Sequence, residues 1–111
     1  MSCIFCRIAK KELPSKIVYE DDSVLAFEDI APQAPIHILV IPKKHYSTVL
    51  EIDDKTLIGH IFTVINEIAQ QKRFSEKGFR VVVNCNSDGG QTVYHLHFHI
   101  LAGRRMFWPP G

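Results

Sequence analysis

The stretch YHLHFHILAG, residues 94–103, sets His95, His97 and His99 at every second position of an otherwise apolar run. That is the period of a β-strand, in which side chains at i, i+2 and i+4 share one face, about 6.6 Å apart at each step. The three histidines are therefore expected on one face, and Leu96, Phe98 and Ile100 on the other. A lone strand histidine is most simply a polar ring satisfied by backbone. Three in register bring three donors and three acceptors to one face, where valine or isoleucine would pack better. The pattern points to function. Residue chemistry leaves two kinds open: metal ligation by His-x-His, or catalysis by imidazole near neutral pH.

Working outward, "NSDGGQ" (86–91) is a turn that its glycines make easy, and "FRVVVN" (79–84) reads as the strand before it. Small residues, with Thr92 and Asn84 nearby, suit an anion such as phosphate, although Gly-Gly turns are common. Between residues 53 and 74 the period changes. Leu57, Ile58, Ile61, Phe62, Ile65, Ile68 and Ala69 fall at helical spacing, which predicts one long amphipathic helix with Asp53 as N-cap and Gly78 closing it. Further upstream, residues 17–19 and 24–27 flank the polar turn "EDDS" as a hairpin. "APQAP" (31–35) interrupts, and "IHILVI" (36–41) is a buried strand that Pro42 ends. Strands on either side of a single long helix give an α+β class with a meandering, mainly antiparallel sheet. The tail "RRMFWPPG" is irregular, and its exposed apolar end is expected to cover its own sheet or a partner subunit.

The chain has 111 residues, enough for one domain over 1–111 with a modest core. Thirteen Lys and Arg against twelve Asp and Glu leave no basic stripe, so nucleic acid is not an expected partner. No run approaches the ~20 apolar residues of a membrane span, and residues 1–16 lack a signal-peptide pattern. A cytoplasmic protein is expected. There Cys3-x-x-Cys6 suggests metal or redox use more than a structural disulfide.

The run "GGQTVYHLHFHIL", together with "YEDDSVLAFEDIAPQAPIHILVIPKKH" (19–45) and the ending "WPPG", resembles the histidine triad superfamily, in its nucleotide-binding (Hint) branch. The resemblance covers essentially the whole chain. It implies a histidine-triad fold with a five-stranded sheet, one long helix and a short N-terminal helix. It also implies a hydrolase that acts at the α-phosphate of purine nucleotides and cleaves the P–N bond of nucleoside phosphoramidates. On the match, His97 is the nucleophile that forms a nucleotidyl-histidine, with its other ring N–H held by a backbone carbonyl near His95. His99 and His37 assist at the phosphate. Asn84, Gly90 and Thr92 surround the phosphate and leaving group, with Thr92 standing where the family often has Ser. Asp29 holds the ribose hydroxyls, and Ile4, Phe5, Ile8, Phe27 and Ile30 wall the base pocket. Without the match, those five would be read as core.

The resemblance further implies that Cys3, Cys6, His45 and His95 form the structural zinc site of some superfamily members, a closed set with no position for substrate and no catalytic metal. Cys85 matches no ligand position and reads as a buried structural thiol. His60 matches no functional position and reads as a surface or helix–helix contact. A two-fold homodimer is implied, joined through the long helix and "FRVVVN", with Trp108 reaching toward the partner's site. Two rival functions stand beside the phosphoramidase: a nucleotide-binding signalling module without turnover, and a dinucleoside polyphosphate hydrolase of another branch.

Overall fold

The computed structural model describes residues 3–111. The elements are helix α1 (Ile4–Ala9), strands β1 (Ile17–Glu20), β2 (Val24–Glu28) and β3 (Ile36–Pro42), helix α2 (Lys55–Gln71), and strands β4 (Arg80–Val82) and β5 (Phe98–Ala102). The strands make one five-stranded sheet in the order β1-β2-β3-β5-β4, antiparallel throughout. This is the α+β architecture expected, with one long helix and one short N-terminal helix.

The unbroken apolar runs of β2 and β3 have a simple cause: both faces of the sheet centre are covered. Val24, Ala26, Ile38 and Val40 meet Ile61, Val64, Ile65 and Ile68 of α2. Leu25, Phe27, Leu39 and Ile41 face the other way, onto Phe5 and Ile8 of α1. The β1–β2 turn closes on Asp21, whose Oδ1 accepts the Ser23 and Val24 N–H groups at 2.9 Å each.

Several boundaries differ from the sequence expectation. Asp54, not Asp53, caps α2, its Oδ1 accepting the Leu57 N–H at 3.1 Å. The helix ends at Gln71, ahead of Gly78, because Arg73 turns left-handed (φ 63°) and the Phe74 N–H bonds back to Ala69. Phe74 stays buried beyond the helix end. β3 ends at Pro42 as expected, with Pro42 itself its last residue, paired with Val24. The last two strands are shorter than expected, and together: β4 stops at Val82 opposite His99, because β5 itself begins only at Phe98.

Candidate active site and metal centre

The histidine segment is aimed by the turn before it. A Cβ on Gly89 would stand 2.5 Å from the Cys85 carbonyl oxygen, and Gly90 sits at φ +80°, so both glycines are needed to bring the chain around. Buried Gln91 then locks the turn. Its Oε1 accepts the Asn86 N–H at 3.0 Å, and its Nε2 donates to the carbonyls of Ser47 (2.8 Å) and Val93 (3.0 Å). Sequence reasoning missed this residue; a glutamine after Gly-Gly carries no signal without its three partners. Cys85 is half-buried rather than buried, and its backbone closes against Gly89.

His95 and His97 precede the ladder instead of lying in it. The Leu96 N–H donates to the Tyr46 carbonyl, and the His95 carbonyl accepts from the His97 ring, so neither group is free for a neighbouring strand. The alternation survives nonetheless. Leu96, Phe98 and Ile100 enter the core under α2, while the His95 and His97 rings pack edge-on against Phe5 on the opposite side.

Hydrogen bonds fix the tautomers. His97 Nδ1–H donates to the His95 carbonyl at 2.8 Å, which leaves Nε2 as a lone pair. His37 Nδ1 accepts the Gln33 N–H at 3.0 Å, so the His37 proton is on Nε2 and donates to His99 Nδ1 at 2.9 Å. His99 then carries its own proton on Nε2. Burial pushes His37 below the usual imidazole value, against the pull of Asp29. Burial, reinforced by the His97 and His37 rings, lowers His99 to about 4. Both are neutral at pH 7.

His97 and His99 line a cavity of about 360 Å³ together with Ile4, Phe5, Ile8, Phe27, Asp29, Ile30 and Thr92. Leu13, Pro14, Ser15, Glu28, Leu39 and Val93 complete it and were not anticipated. Phe5, Ile8 and Phe27 are both core and wall, so the two sequence readings of them were never exclusive. Ile30 is fully exposed and Ile4 half-exposed; they are rim rather than buried wall. Asn84, Gly90 and His37 are not among the residues lining this cavity, and His37 reaches it only through His99.

A second cluster gathers Cys3, Cys6, His45 and His95, whose ligand atoms all lie within 4.8 Å of one another. Cys3 and Cys6 come from the start of α1, His45 from the loop after β3 and His95 from the histidine segment. The His95 Nε2–H donates to the Pro42 carbonyl at 2.8 Å, which leaves Nδ1 as a lone pair facing the cluster. That Nδ1 is 3.3 Å from Cys3 Sγ, 3.5 Å from Cys6 Sγ and 3.2 Å from His45 Nδ1, and Cys6 Sγ is 3.4 Å from His45 Nδ1. Tetrahedral zinc, with Zn–N of 2.0–2.1 Å and Zn–S of 2.3 Å, spaces its ligand atoms about 3.3–3.8 Å apart. The donor set fits zinc in type, number and spacing.

Asp29, His37 and His99 also converge within 4.8 Å, in a set that resembles a metal site. Its hydrogen bonds argue otherwise. Metal at His37 Nε2 would require a proton on Nδ1, where the Gln33 N–H already points. This cluster is built around a proton.

His60 pairs with Asp21 of the β1–β2 turn, so it ties α2 to the sheet instead of standing free or meeting another helix. Tyr19 donates to the same carboxylate at 2.8 Å, which pushes the Tyr19 hydroxyl up to about 12.

A model of the HIT domain, named for the histidine triad, matches residues 10–106. An uncharacterised HIT-like protein of Synechococcus elongatus is 52% identical over 110 residues, spanning 97% of this chain and 96% of the relative. The crystal structure of a HIT family hydrolase from Legionella pneumophila superposes with a TM-score of 0.96 at 50% identity, covering 99% of this chain and 100% of that one. A histidine triad nucleotide-binding protein of Candida albicans gives a TM-score of 0.86 at 32% identity, over 97% and 83% of the two chains. The chain belongs to the histidine triad family.

Proposed function

We propose that this protein is a purine nucleoside phosphoramidase, in which His97 attacks the α-phosphorus and releases an amine. One observation carries the reading. His97 gives its Nδ1–H to a backbone carbonyl and keeps its Nε2 lone pair on a ring that lines a nucleotide-sized cavity. Attack by Nε2 forms a P–N bond to the ring as the substrate's P–N bond breaks. The departing nitrogen takes a proton from solvent. Water then cleaves the nucleotidyl-histidine, so the net reaction is phosphoramidate plus water to nucleoside monophosphate plus amine. The His99 Nε2–H donates to phosphoryl oxygens, where charge grows in the transition state. The Thr92 hydroxyl is available at the same end, and the apolar wall takes the base.

The experiment is amine release from an adenosine phosphoramidate. His97→Ala is expected to lose at least about 1,000-fold in turnover while still binding adenosine monophosphate. Equal rates in variant and wild type overturn the assignment. Diadenosine polyphosphate, followed by release of adenosine nucleotides, separates the other hydrolase reading, which requires faster cleavage of that substrate.

On the same reading Cys3, Cys6, His45 and His95 hold a structural zinc. The ion supplies no chemistry to the reaction; it fastens α1, which carries Ile4, Phe5 and Ile8, against the histidine segment. The resemblance also supports a homodimer, and the free edge of β4 is the natural seam.

A further inference from the structure

The loop between β2 and β3 sets the proton order of His37 and His99, and a side chain from beyond β5 holds that loop. Residues 29–35 include Pro32 and Pro35, which have no N–H to give, so a strand ladder cannot fix them. The bonds are local instead: the Ala31 N–H donates to Asp29 Oδ1 at 2.8 Å, and Gln33 Nε2 donates to the Ala31 carbonyl at 3.1 Å. The Gln33 backbone is then gripped from two sides. Its N–H donates to His37 Nδ1 at 3.0 Å, and its carbonyl accepts Arg104 Nη2 at 3.1 Å and Nε at 3.3 Å. Arg104 is steadied in turn, since its Nη1 donates to the Arg105 carbonyl at 3.1 Å. Among the described residues it pairs with no carboxylate. Gly103 makes the close approach possible: it sits at φ +91°, and a Cβ there would stand 2.8 Å from Pro35 Cβ.

The Gln33 N–H matters because it bars a proton from His37 Nδ1. The His37 proton is then on Nε2, where it bonds His99 Nδ1 at 2.9 Å, and the His99 proton is left on the Nε2 of a ring that lines the cavity. Without that N–H, His37 Nδ1 can take the proton and Nε2 can become an acceptor. His99 must then turn its own proton inward to Nδ1, and the donor at the phosphoryl end is lost. We propose that Arg104 is a positioning residue: by holding the Gln33 carbonyl it keeps the Gln33 N–H on His37, and so keeps His99 a donor toward substrate. Arg104 does not line the cavity and acts through Gln33, His37 and His99. A guanidinium suits the task, because two N–H groups of one rigid plane meet one carbonyl oxygen and the charge strengthens both bonds. The effect on rate rests on the phosphoramidase reading; the tautomers are set without substrate.

The test uses full-length protein labelled with ¹⁵N-histidine, in long-range ¹H–¹⁵N correlation spectra that separate protonated ring nitrogens from lone-pair ones. Wild type should show Nδ1 of His37 and of His99 as acceptors and both Nε2 atoms protonated. In Arg104→Ala both rings should move toward the other tautomer. The kcat for an adenosine phosphoramidate should fall about ten-fold, the order set by one charge-assisted hydrogen bond, while affinity for adenosine monophosphate stays within about two-fold. Arg104→Lys, with an ammonium in place of the fork, should fall between. Arg104 is exposed, so millimolar guanidinium should restore part of the kcat of Arg104→Ala. Arg105→Ala removes an equal charge next to it and should leave spectra and kcat at wild-type values. Ring spectra in Arg104→Ala identical to wild type overturn the proposal, as does a loss confined to KM. An equal loss in Arg105→Ala assigns the effect to charge and overturns it too. Because the spectra need no substrate, the expected tautomer shift in a protein without turnover overturns the phosphoramidase reading and supports the Arg104 assignment.

Discussion

His95 and His97 each give one ring N–H to a carbonyl, of Pro42 and of His95 respectively, and each keeps the other nitrogen as a lone pair. They differ in which nitrogen is kept. His95 keeps Nδ1, which faces two thiols and a third imidazole; His97 keeps Nε2, on a ring that lines the cavity. His99 receives at Nδ1 and so becomes a donor. Three histidines on one face thus have two tautomers, His95 and His99 with the proton on Nε2 and His97 with it on Nδ1, and three different surroundings. The sequence places them on that face, but their hydrogen-bond partners select the tautomers: the Pro42 carbonyl for His95, the His95 carbonyl for His97 and the His37 ring for His99. One consequence can be measured at this scale. Folded His99, held to about 4 by burial and by its His97 and His37 neighbours with Asp29 opposing, refuses a proton that the unfolded chain accepts near 6.5. Between those values the unfolded state binds more protons, so stability falls as pH drops from about 6.5 to about 4. Urea midpoints should be lower at pH 5 than at pH 7.5, and His99→Gln should reduce the difference. A pH-independent midpoint contradicts the assignment.

At the scale of elements, α1 has six residues and is too short to be stable as a helix by itself. It is held by Phe5 and Ile8 on the sheet and by Cys3 and Cys6 at the cluster. Zinc removal should therefore act through α1 on the cavity that Ile4, Phe5 and Ile8 line. Chelation is expected to lower Tm by about 5 °C or more and to raise KM more than it lowers kcat. Metal analysis should return one zinc per chain; less than half an equivalent, or a Tm indifferent to chelation, counts against the site. The amphipathic period of α2 was plain in the sequence because one face meets the sheet and the other water. Its ends were not, since Asp53 and Asp54 are equivalent in sequence and only Asp54 reaches the Leu57 N–H. The lengths of β4 and β5 were illegible for a related reason: a strand ends where its partner's backbone bonds go elsewhere, as those of His95 and Leu96 do.

In the whole molecule, the sheet has one face under α2 and the other carrying α1, the cavity and the Cys–His cluster. Core and site therefore share residues, and Phe5 alone touches Phe27, His95 and His97. Phe5, Ile8 and Phe27 could be named as cavity wall from the family resemblance alone, because apolar spacing does not distinguish a pocket wall from a core. Among the described residues, the edge of β4 and the C-terminal tail are two of the surfaces open to a partner. β4 has a neighbour on one side only, and Trp108 is 83% exposed on the tail. Sedimentation velocity at micromolar concentration should give the mass of a dimer; a monomer at that concentration contradicts the two-fold assembly. During turnover His97 Nε2 should become bonded to phosphorus. Wild-type protein turning over an adenosine phosphoramidate, quenched in alkaline denaturant and mapped by mass spectrometry, tests it directly. One adenylyl group is expected on the peptide containing His97, lost on chase with water and absent in His97→Ala. Turnover with His97 unmodified throughout, or an adduct on another residue, would contradict it.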